Sequence, residues 1–598
     1  MPADAKLQLA LARMEQGDHA GAVGLLRPLV ARAPDQFTPA ALLAESLIRL
    51  GQLEQARYQI DRLARLAPHE ADVSTLRVQL CGALGDLAGA VDAAMNAQRL
   101  APHDPERARH LAVAAFNAGD FALMIDAARL GLAITGDDPD LLLKEASGLM
   151  SLGMADEARA RFEAAVARHP QHAPLAEGLA VCLNYATNVP PAALRAAHDR
   201  LGDLLTGATA ANPSDAAPPD RLSTVAGACA EPKRIRLGLI SPDLRKHSVA
   251  YFLSPLLEHL DRARFELFAY STWPVRPEHD AVTRRFHALV GTDHWRDAAG
   301  LSPAALARRV RDDRPDVLVD LAGLFQGNSL PALALRPAPL ICTYLGYPAT
   351  TGLPGVDARL VDAFTDPPGA EAHARERLVR INGCFLAYAP PTDAPPVRWR
   401  PAGAARPFTF ASFNMLRKLN DPLLRFWGRI LAGVPGSRLL IKAGGLEHAR
   451  ARGHWLDRAA AAGIEPQRVE LVGHIADSAS HLELYNRVDI ALDTFPYHGT
   501  TTTCEALLMG TPVVSLIGDR HASRVGLSLL SAVGLSDLVT HREHDYVERA
   551  ITLAGDPARL TTLRTTLRDR LLASPLTDGP GFARRWAEAV LTAMAQRA

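Results

Sequence analysis

The densest chemistry in this chain sits between Gly499 and Glu505, where a glycine is followed by four threonines and a carboxylate. Gly499 permits close backbone approach, and Thr500, Thr501, Thr502 and Thr503 place hydroxyls beside the unsatisfied amides expected at the start of a Thr501–Met509 helix. Such a place suits a phosphate. Glu505 follows within the first turn, where a carboxylate is favoured by the helix dipole and can accept from sugar hydroxyls. Four threonines can equally do no more than cap a helix. No lysine follows the glycine, so this is not a Walker loop.

Two further residues carry reactive groups at comparable positions. Lys418 stands in Asn414–Asn420, just past an alternating apolar run at Phe408–Phe413, where an ammonium can meet a diphosphate as a point charge; the same residue reads equally as a solvated surface cation. His247 lies after the apolar run Ile235–Ile240 and one residue before a helix predicted at Ser248–Leu260. Its near-neutral pKa suits acid–base or hydrogen-bonding work, and its position also suits a plain helix cap. Arg520, His521 and Arg524 fall in a third loop of this kind.

The elements that must hold these groups alternate between two periods. Leu471–Leu516 runs from a short apolar stretch through a helix at Ser480–Arg487, a second apolar run at Val488–Leu492, the Thr501–Met509 helix and a buried strand at Pro512–Leu516. That βαβαβ order is expected of a parallel sheet covered on both faces. Further strands are predicted at Phe265–Tyr270, Val317–Leu321, Leu340–Tyr344, Val356–Phe364, Arg438–Lys442 and Val469–Gly473, with helices between them. In such sheets ligands gather at the carboxyl ends of the strands, which is where the three candidate groups fall.

The N-terminal third is built differently. Gly17, Gly51, Gly85, Gly119 and Gly153 recur every 34 residues; Pro34, Pro68, Pro102 and Pro170 share one lattice, with Gly136 in the remaining place. Ala22, Ala56, Ala90 and Ala158 share another, with Met124 in the fourth copy. The period predicts helix pairs with a tight glycine turn and close packing at the alanine, stacked because no pair can bury its apolar face alone. The pattern resembles the tetratricopeptide repeat family, which implies a superhelix that binds peptides or proteins; a dimerisation or spacer role is the alternative.

Lys+Arg 65 against Asp+Glu 65 leaves no net charge, so the totals carry no bias toward nucleic acid or anionic membranes. Six scattered cysteines without paired spacing point to a reducing, cytoplasmic setting without structural zinc. No HExxH or strand-end DxD motif appears, and a metal requirement is not expected. The opening MPADAKLQLALARM passes straight into the repeats and does not read as a leader, and no apolar run is long enough to span a membrane.

Taken in order, the 34-residue repeats, the loop with His247, RPAP at Arg336–Pro339, LGYPATTG at Leu345–Gly352, FNMLRK at Phe413–Lys418, DTFPYHGTTTTCEAL at Asp493–Leu507 and GTPVVSL at Gly510–Leu516 resemble the O-linked N-acetylglucosamine transferase family, particularly its bacterial members. The resemblance implies a repeat superhelix at 1–205, a connector at 206–232, two Rossmann-like domains of GT-B type at 233–390 and 391–575, and a closing helix at 576–598 that returns to the first. It implies an inverting, metal-independent enzyme moving N-acetylglucosamine from UDP-GlcNAc to Ser or Thr hydroxyls of proteins recruited by the repeats. It places Lys418 on the donor diphosphate, Thr501 and Thr502 on the phosphates within the Gly499–Thr500 loop, and Glu505 on the ribose. His481 falls beside the uracil, Ala476 where a backbone group reads that base, and His247 at the active-site histidine, as base or positioning group. This chain departs from the pattern at Thr500 (histidine in some members), Glu505 (aspartate in others), Ser478 (a second lysine in some) and Leu324–Phe325 (often a polar His–Thr pair). A different UDP-sugar, a nonprotein acceptor, a weakly catalytic peptide-binding scaffold and a homo-oligomer remain open alternatives.

Overall fold

The computed structural model describes residues 2–210, 234–275, 277–398 and 406–597. It divides into two compact units, Met1–Leu152 and Gly153–Ala598. The first is a stack of antiparallel helices running from Ala3–Glu15 to Pro139–Ser151. Its period has a direct backbone cause. Gly17, Gly51, Gly85 and Gly119 all adopt φ between 70° and 78°, a conformation costly for any residue with a Cβ. One residue on, Asp18, Asp86 and Asp120 cap the next helix by accepting from the amides of Gly21, Gly89 and Leu123. Ala22, Ala56, Ala90 and Met124 are buried at the helix crossings. Ion pairs such as Arg107 with Asp72, at 2.5 Å, and Arg109 with Asp138 tie neighbouring repeats.

The second unit opens with helices that continue the repeat lattice, Ala155–Arg168, Ala173–Cys182 and Pro191–Ala210, with Gly153 again left-handed and Ala158 buried. They pack directly on the α/β part: Asn184 Nδ2 donates to the Tyr347 hydroxyl at 2.8 Å, and His198 Nε2 lies 2.8 Å from the same oxygen. The Pro191–Ala210 helix runs through the first residues of the expected connector; the rest of that connector lies outside the described residues.

Two parallel sheets follow. The first holds β1 (Ile235–Ser241), β2 (Phe265–Ser271), β3 (Trp295–Asp297), β4 (Val317–Asp320), β5 (Leu340–Thr343), β6 (Ala358–Val361) and β7 (Arg377–Arg380), in the order β3-β2-β1-β4-β5-β6-β7. The second holds β8 (Thr409–Ser412), β9 (Arg438–Lys442), β10 (Val469–Val472), β11 (Ile490–Leu492), β12 (Val513–Leu516) and β13 (Val539–Thr540), in the order β10-β9-β8-β11-β12-β13. Both are doubly wound Rossmann-like sheets, as a GT-B architecture requires, and β4 and β12 are buried along their whole length. Each order reverses once, between β1 and β4 and between β8 and β11. β10 and β11 are consecutive in sequence yet separated by β9 and β8, because the chain crosses to the other side of β8 at that point.

The short edge strands β3, β7 and β13 carry too few apolar residues to register as strands in the sequence, and the strand expected over Val356–Phe364 is confined to Ala358–Val361. The terminal helix Gly579–Ala595 lies against the Ser248–His259 helix. Gly579 has no room for a Cβ beside His259, Trp586 meets Tyr344 edge-on at 6.0 Å, and Arg597 pairs with Asp357 at 2.9 Å.

Candidate active site

The two reversals in strand order create two crevices at strand carboxyl ends, and the residues with reactive groups come from the loops beside them. In the first sheet, the loop after β1 turns at Asp243, whose amide donates to Ser241 Oγ at 2.9 Å. His247 closes this loop and begins the Ser248–His259 helix. Its Nδ1 accepts from the Val249 amide at 3.4 Å and lies 3.5 Å from Asp243 Oδ2, so Nε2 is the outward nitrogen of a ring that is 38% exposed. Burial lowers the pKa of His247 while the Asp243 charge opposes the shift, and burial raises that of Asp243. The ring is held by its inner nitrogen. It caps the helix through that nitrogen and leaves the other outermost on the ring.

The loop after β4 is pinned by Asp320, a fully buried carboxylate that accepts from the amides of Ala322 and Gly323 and from Thr343 Oγ1. Leu324 is buried in the interior, and Phe325 projects edge-on against Tyr347 at 5.2 Å.

In the second sheet the loops after β8 and β11 are knitted together. Asn420 donates to the Phe495 carbonyl at 2.6 Å while capping the Asp421–Gly433 helix. Lys418 ends a short 3-10 turn, Leu416–Lys418; its Nζ donates to the His498 carbonyl at 2.7 Å and sits 4.2 Å from the centre of the Tyr497 ring. Burial pulls its pKa down to about 7, partly opposed by Asp493 and reinforced by the neighbouring Arg417. A lysine this poorly solvated gains much from an arriving anion.

Asp493 organises the other loop by accepting from the Gly499 amide at 2.7 Å and from Ser515 Oγ at 2.7 Å. His498 Nε2 donates to the Leu516 carbonyl at 2.7 Å and its Nδ1 accepts from the Gly526 amide at 2.9 Å, which fixes one neutral tautomer. Thr500 then precedes the Thr501–Leu508 helix, whose start carries no side-chain cap. The threonines divide their work: Thr502 Oγ1 donates to Asn414 Oδ1 at 3.2 Å and Thr503 Oγ1 to the Gly499 carbonyl at 3.2 Å. The first-turn amides themselves have no side chain bonded over them, so this helix start offers donors to an anion. Gly499 is required by space. A Cβ there would lie 2.5 Å from Thr502 Oγ1 and 3.2 Å from Asn414 Oδ1.

Glu505 is buried and lies 3.0 Å from His481 Nε2. The His481 ring, on the Ser478–Glu483 helix, packs against Phe413 and Tyr485 at 6.0 and 5.8 Å between centres, and its buried Nδ1 has no partner among the described residues. Ala476 is exposed in the loop after β10 that leads into that helix. The structure thus brings Lys418, Gly499, Thr500, Thr501, Thr502, Glu505 and His481 to one strand-end region, while Ala476 makes no described contact with them. His247 belongs to the opposite sheet, and its helix approaches this group through Tyr251, which feels the charge of Glu505.

Two contributors escape a reading of the sequence. Tyr185 comes from the helices preceding the first sheet and stacks flat on Tyr497, at 4.8 Å and 3° between planes, on the ring that also carries Lys418. Arg417 lies over Tyr185 at 5.3 Å and over Phe325 at 5.8 Å, so Phe325 joins an aromatic cage around a cation. The break at Asn184–Tyr185 in an otherwise helical pattern is the only trace of this contact in the sequence.

Among the described residues no group of three or more His, Cys, Asp or Glu side chains is arranged to hold a metal ion, and no helix is long and apolar enough to cross a membrane.

Comparison with known proteins agrees with this architecture. Residues 222–388 and 404–585 match the family model described as Glycosyl transferase family 41, and residues 2–80 match a tetratricopeptide repeat model. The chain is 43% identical over 356 residues to the Arabidopsis thaliana protein named Probable UDP-N-acetylglucosamine-peptide N-acetylglucosaminyltransferase SPINDLY, covering 59% of this chain and 39% of that one. It is 28% identical over 356 residues to the Arabidopsis thaliana relative named SEC, covering 58% of this chain and 36% of that one. The chain therefore spans about two fifths of the length of the curated relatives it matches. Among solved structures, a point mutant of Thermobaculum terrenum O-GlcNAc transferase superposes with a TM-score of 0.77 at 29% identity, covering 88% of this chain and 98% of that one. A tetratricopeptide array joined to two facing Rossmann-like sheets, with the family model matching both sheets, makes this chain a member of glycosyl transferase family 41.

Proposed function

We propose that the chain transfers N-acetylglucosamine from UDP-GlcNAc to Ser or Thr hydroxyls of cytoplasmic proteins, with inversion and without a metal ion. The observation that carries this reading is the convergence of a poorly solvated lysine, an uncapped helix start and a His481–Glu505 pair on one strand-end crevice, with His247 presented from the other sheet. The bond between sugar C1 and the diphosphate breaks as the acceptor oxygen attacks from the opposite face. Charge then develops on the leaving diphosphate, where Lys418 and the Thr501–Thr503 amides are already oriented. His481 and Glu505 suit the nucleoside end, and the exposed backbone at Ala476 suits the edge of the base. His247 Nε2 is the group best placed to take or orient the acceptor proton. The helical repeats supply the surface for protein acceptors.

Replacing His247 with alanine is expected to lower kcat about 10²-fold while leaving donor affinity within about twofold, because the ring touches the acceptor side and not the diphosphate. Steady-state kinetics with calorimetric donor binding separates the two effects. An equal loss in donor affinity would show that the histidine acts on the donor.

A second reading is a donor other than UDP-GlcNAc. It is favoured by Leu324 and Phe325, one buried and the other packed edge-on against Tyr347, which put apolar side chains where the family resemblance leads one to expect a polar pair. Incubating the chain with a panel of nucleotide sugars, uracil- and purine-based, and identifying modified proteins by mass spectrometry decides between them. Modification of Ser or Thr with UDP-GlcNAc alone supports the first reading, modification with another donor replaces it, and none with any donor removes both.

A further inference from the structure

Arg417 is a cation that the proposed sugar transfer does not use. It shares the Leu416–Lys418 turn with Lys418, but the two side chains diverge. Lys418 reaches the His498 carbonyl and the Tyr497 ring, whereas the half-buried Arg417 guanidinium lies over Tyr185 at 5.3 Å and over Phe325 at 5.8 Å. Tyr185 comes from the helices that continue the repeat lattice, and Phe325 from the loop after β4. Aromatic faces hold a guanidinium in place without consuming its N–H groups, which project from the edge of the plane. The hydrogen bond described for it runs from Nη2 to Met415 Sδ at 3.2 Å, a weak acceptor. No carboxylate pairs with Arg417 among the described residues, and its Nε and Nη1 bond to no protein atom there and remain open to solvent. The neighbouring Met415 is 56% exposed, so the approach to this corner is not sealed.

The charges favour an anion. Arg417 adds to the depression of the Lys418 pKa, so two like charges share this corner. Asp493, which opposes them, is buried and taken up by the amides of Thr494 and Gly499 and by Ser515. Glu177, the carboxylate that reaches the loop carrying Phe325, is bonded to Asn328. The direction in which Arg417 is held sets it apart from the diphosphate. It touches the helices that end the repeat array and the domain that carries His247, the two parts assigned to the acceptor, and makes no described contact with the Gly499–Thr503 loop. We propose that Arg417 reads the acceptor: its unused N–H groups pair with an Asp or Glu carboxylate flanking the modified Ser or Thr, which selects acidic acceptor segments. This rests on the reading that the chain acts on protein acceptors. A planar guanidinium fixed by two rings suits a carboxylate, because its donor fork is already oriented when the peptide arrives.

The test is fluorescence-anisotropy binding of the full chain, at constant ionic strength, to end-blocked peptides with a single Ser. The peptides are identical except that Glu, Gln or Lys occupies each flanking position in turn. At one position or more, the Glu peptide is expected to bind wild type about tenfold tighter than its Gln twin. Arg417→Met should erase that difference, Arg417→Glu should reverse it in favour of the Lys peptide, and Arg417→Lys should keep only part of it, because a point charge lacks the planar fork. Calorimetric UDP-GlcNAc binding to the same variants is the second readout. Equal binding of Glu and Gln peptides by wild type at every position, or a preference that survives in Arg417→Met, overturns the proposal. So does a loss of donor affinity in Arg417→Met as large as in Lys418→Ala with peptide choice intact, which would put Arg417 on the diphosphate. Peptide selection needs no turnover. Selection without labelling of any peptide would therefore remove the sugar-transfer reading and leave Arg417 as the carboxylate reader of a binding protein.

Discussion

Alanine at position 418 is expected to reduce sugar transfer about 10²- to 10³-fold, the usual cost of removing a preorganised group from a developing negative charge. The loss belongs in kcat as well as in donor affinity, because the diphosphate carries more charge on leaving than when bound to the sugar. A pH signature accompanies it. With the pKa of Lys418 pulled down to about 7, the ammonium form dominates below that value and the amine above it. If the donor diphosphate pairs with the charged form, as proposed, the site takes up a proton on binding above pH 7. Donor affinity is then expected to fall about tenfold per pH unit between pH 7 and 9 and to be flat below 7. Calorimetry across that range, in wild type and Lys418→Met, measures it directly: the variant should show weak, pH-independent binding. A wild-type profile as flat as the variant's would remove Lys418 from the diphosphate.

Gly202→Ala should be strongly destabilising, against the intrinsic preference of its surroundings. Gly202 lies inside the Pro191–Ala210 helix, where alanine ordinarily gains about 1 kcal/mol over glycine. Here a Cβ would lie 1.8 Å from the Gly352 carbonyl oxygen and 2.9 Å from Leu353 Cα. The opposing backbone cannot retreat easily. Gly352 is itself left-handed at φ 68° and packed on His198, and Arg375 holds both sides by donating to Asp203 at 2.8 Å and to the Gly352 carbonyl at 3.1 Å. Overpacking against a fixed backbone outweighs the helical gain, and a net loss of about 2–3 kcal/mol is expected. Gly82→Ala is the matched control, inside the Ala71–Leu84 helix with no atom within 4 Å of the added Cβ; it should stabilise by up to about 1 kcal/mol. Denaturant unfolding of both variants gives the comparison, and a Gly202→Ala protein as stable as wild type would disprove the close approach.

These two residues mark the boundary between what is local in this protein and what is not. Lys418, the threonine loop, His481 and Glu505 all lie within strand-loop-helix units, so their placement at strand ends follows from hydrophobic period and turn chemistry over a few tens of residues. The repeat lattice is legible for a similar reason. A left-handed turn every 34 residues demands glycine, and a helix crossing demands a small side chain, so the backbone writes itself into the sequence. The β9 strand, Arg438–Lys442, falls where its short apolar run predicts. The edge strands β3, β7 and β13 do not announce themselves, because two to four half-polar residues at a sheet margin carry no period.

What the sequence by itself determined is the order of parts: a helical array, two parallel α/β sheets, and the reactive residues at their strand ends. The tertiary structure alone decided which distant groups meet. It placed Tyr185 beneath the Tyr497 ring that supports Lys418, closed the Gly202 helix onto Gly352, and set Arg417 over rings from two other parts of the chain. Local sequence encodes backbone conformation through sterics and capping, which act over a few residues. Contacts between elements depend on shape and charge matched across hundreds of residues, and no periodicity records them.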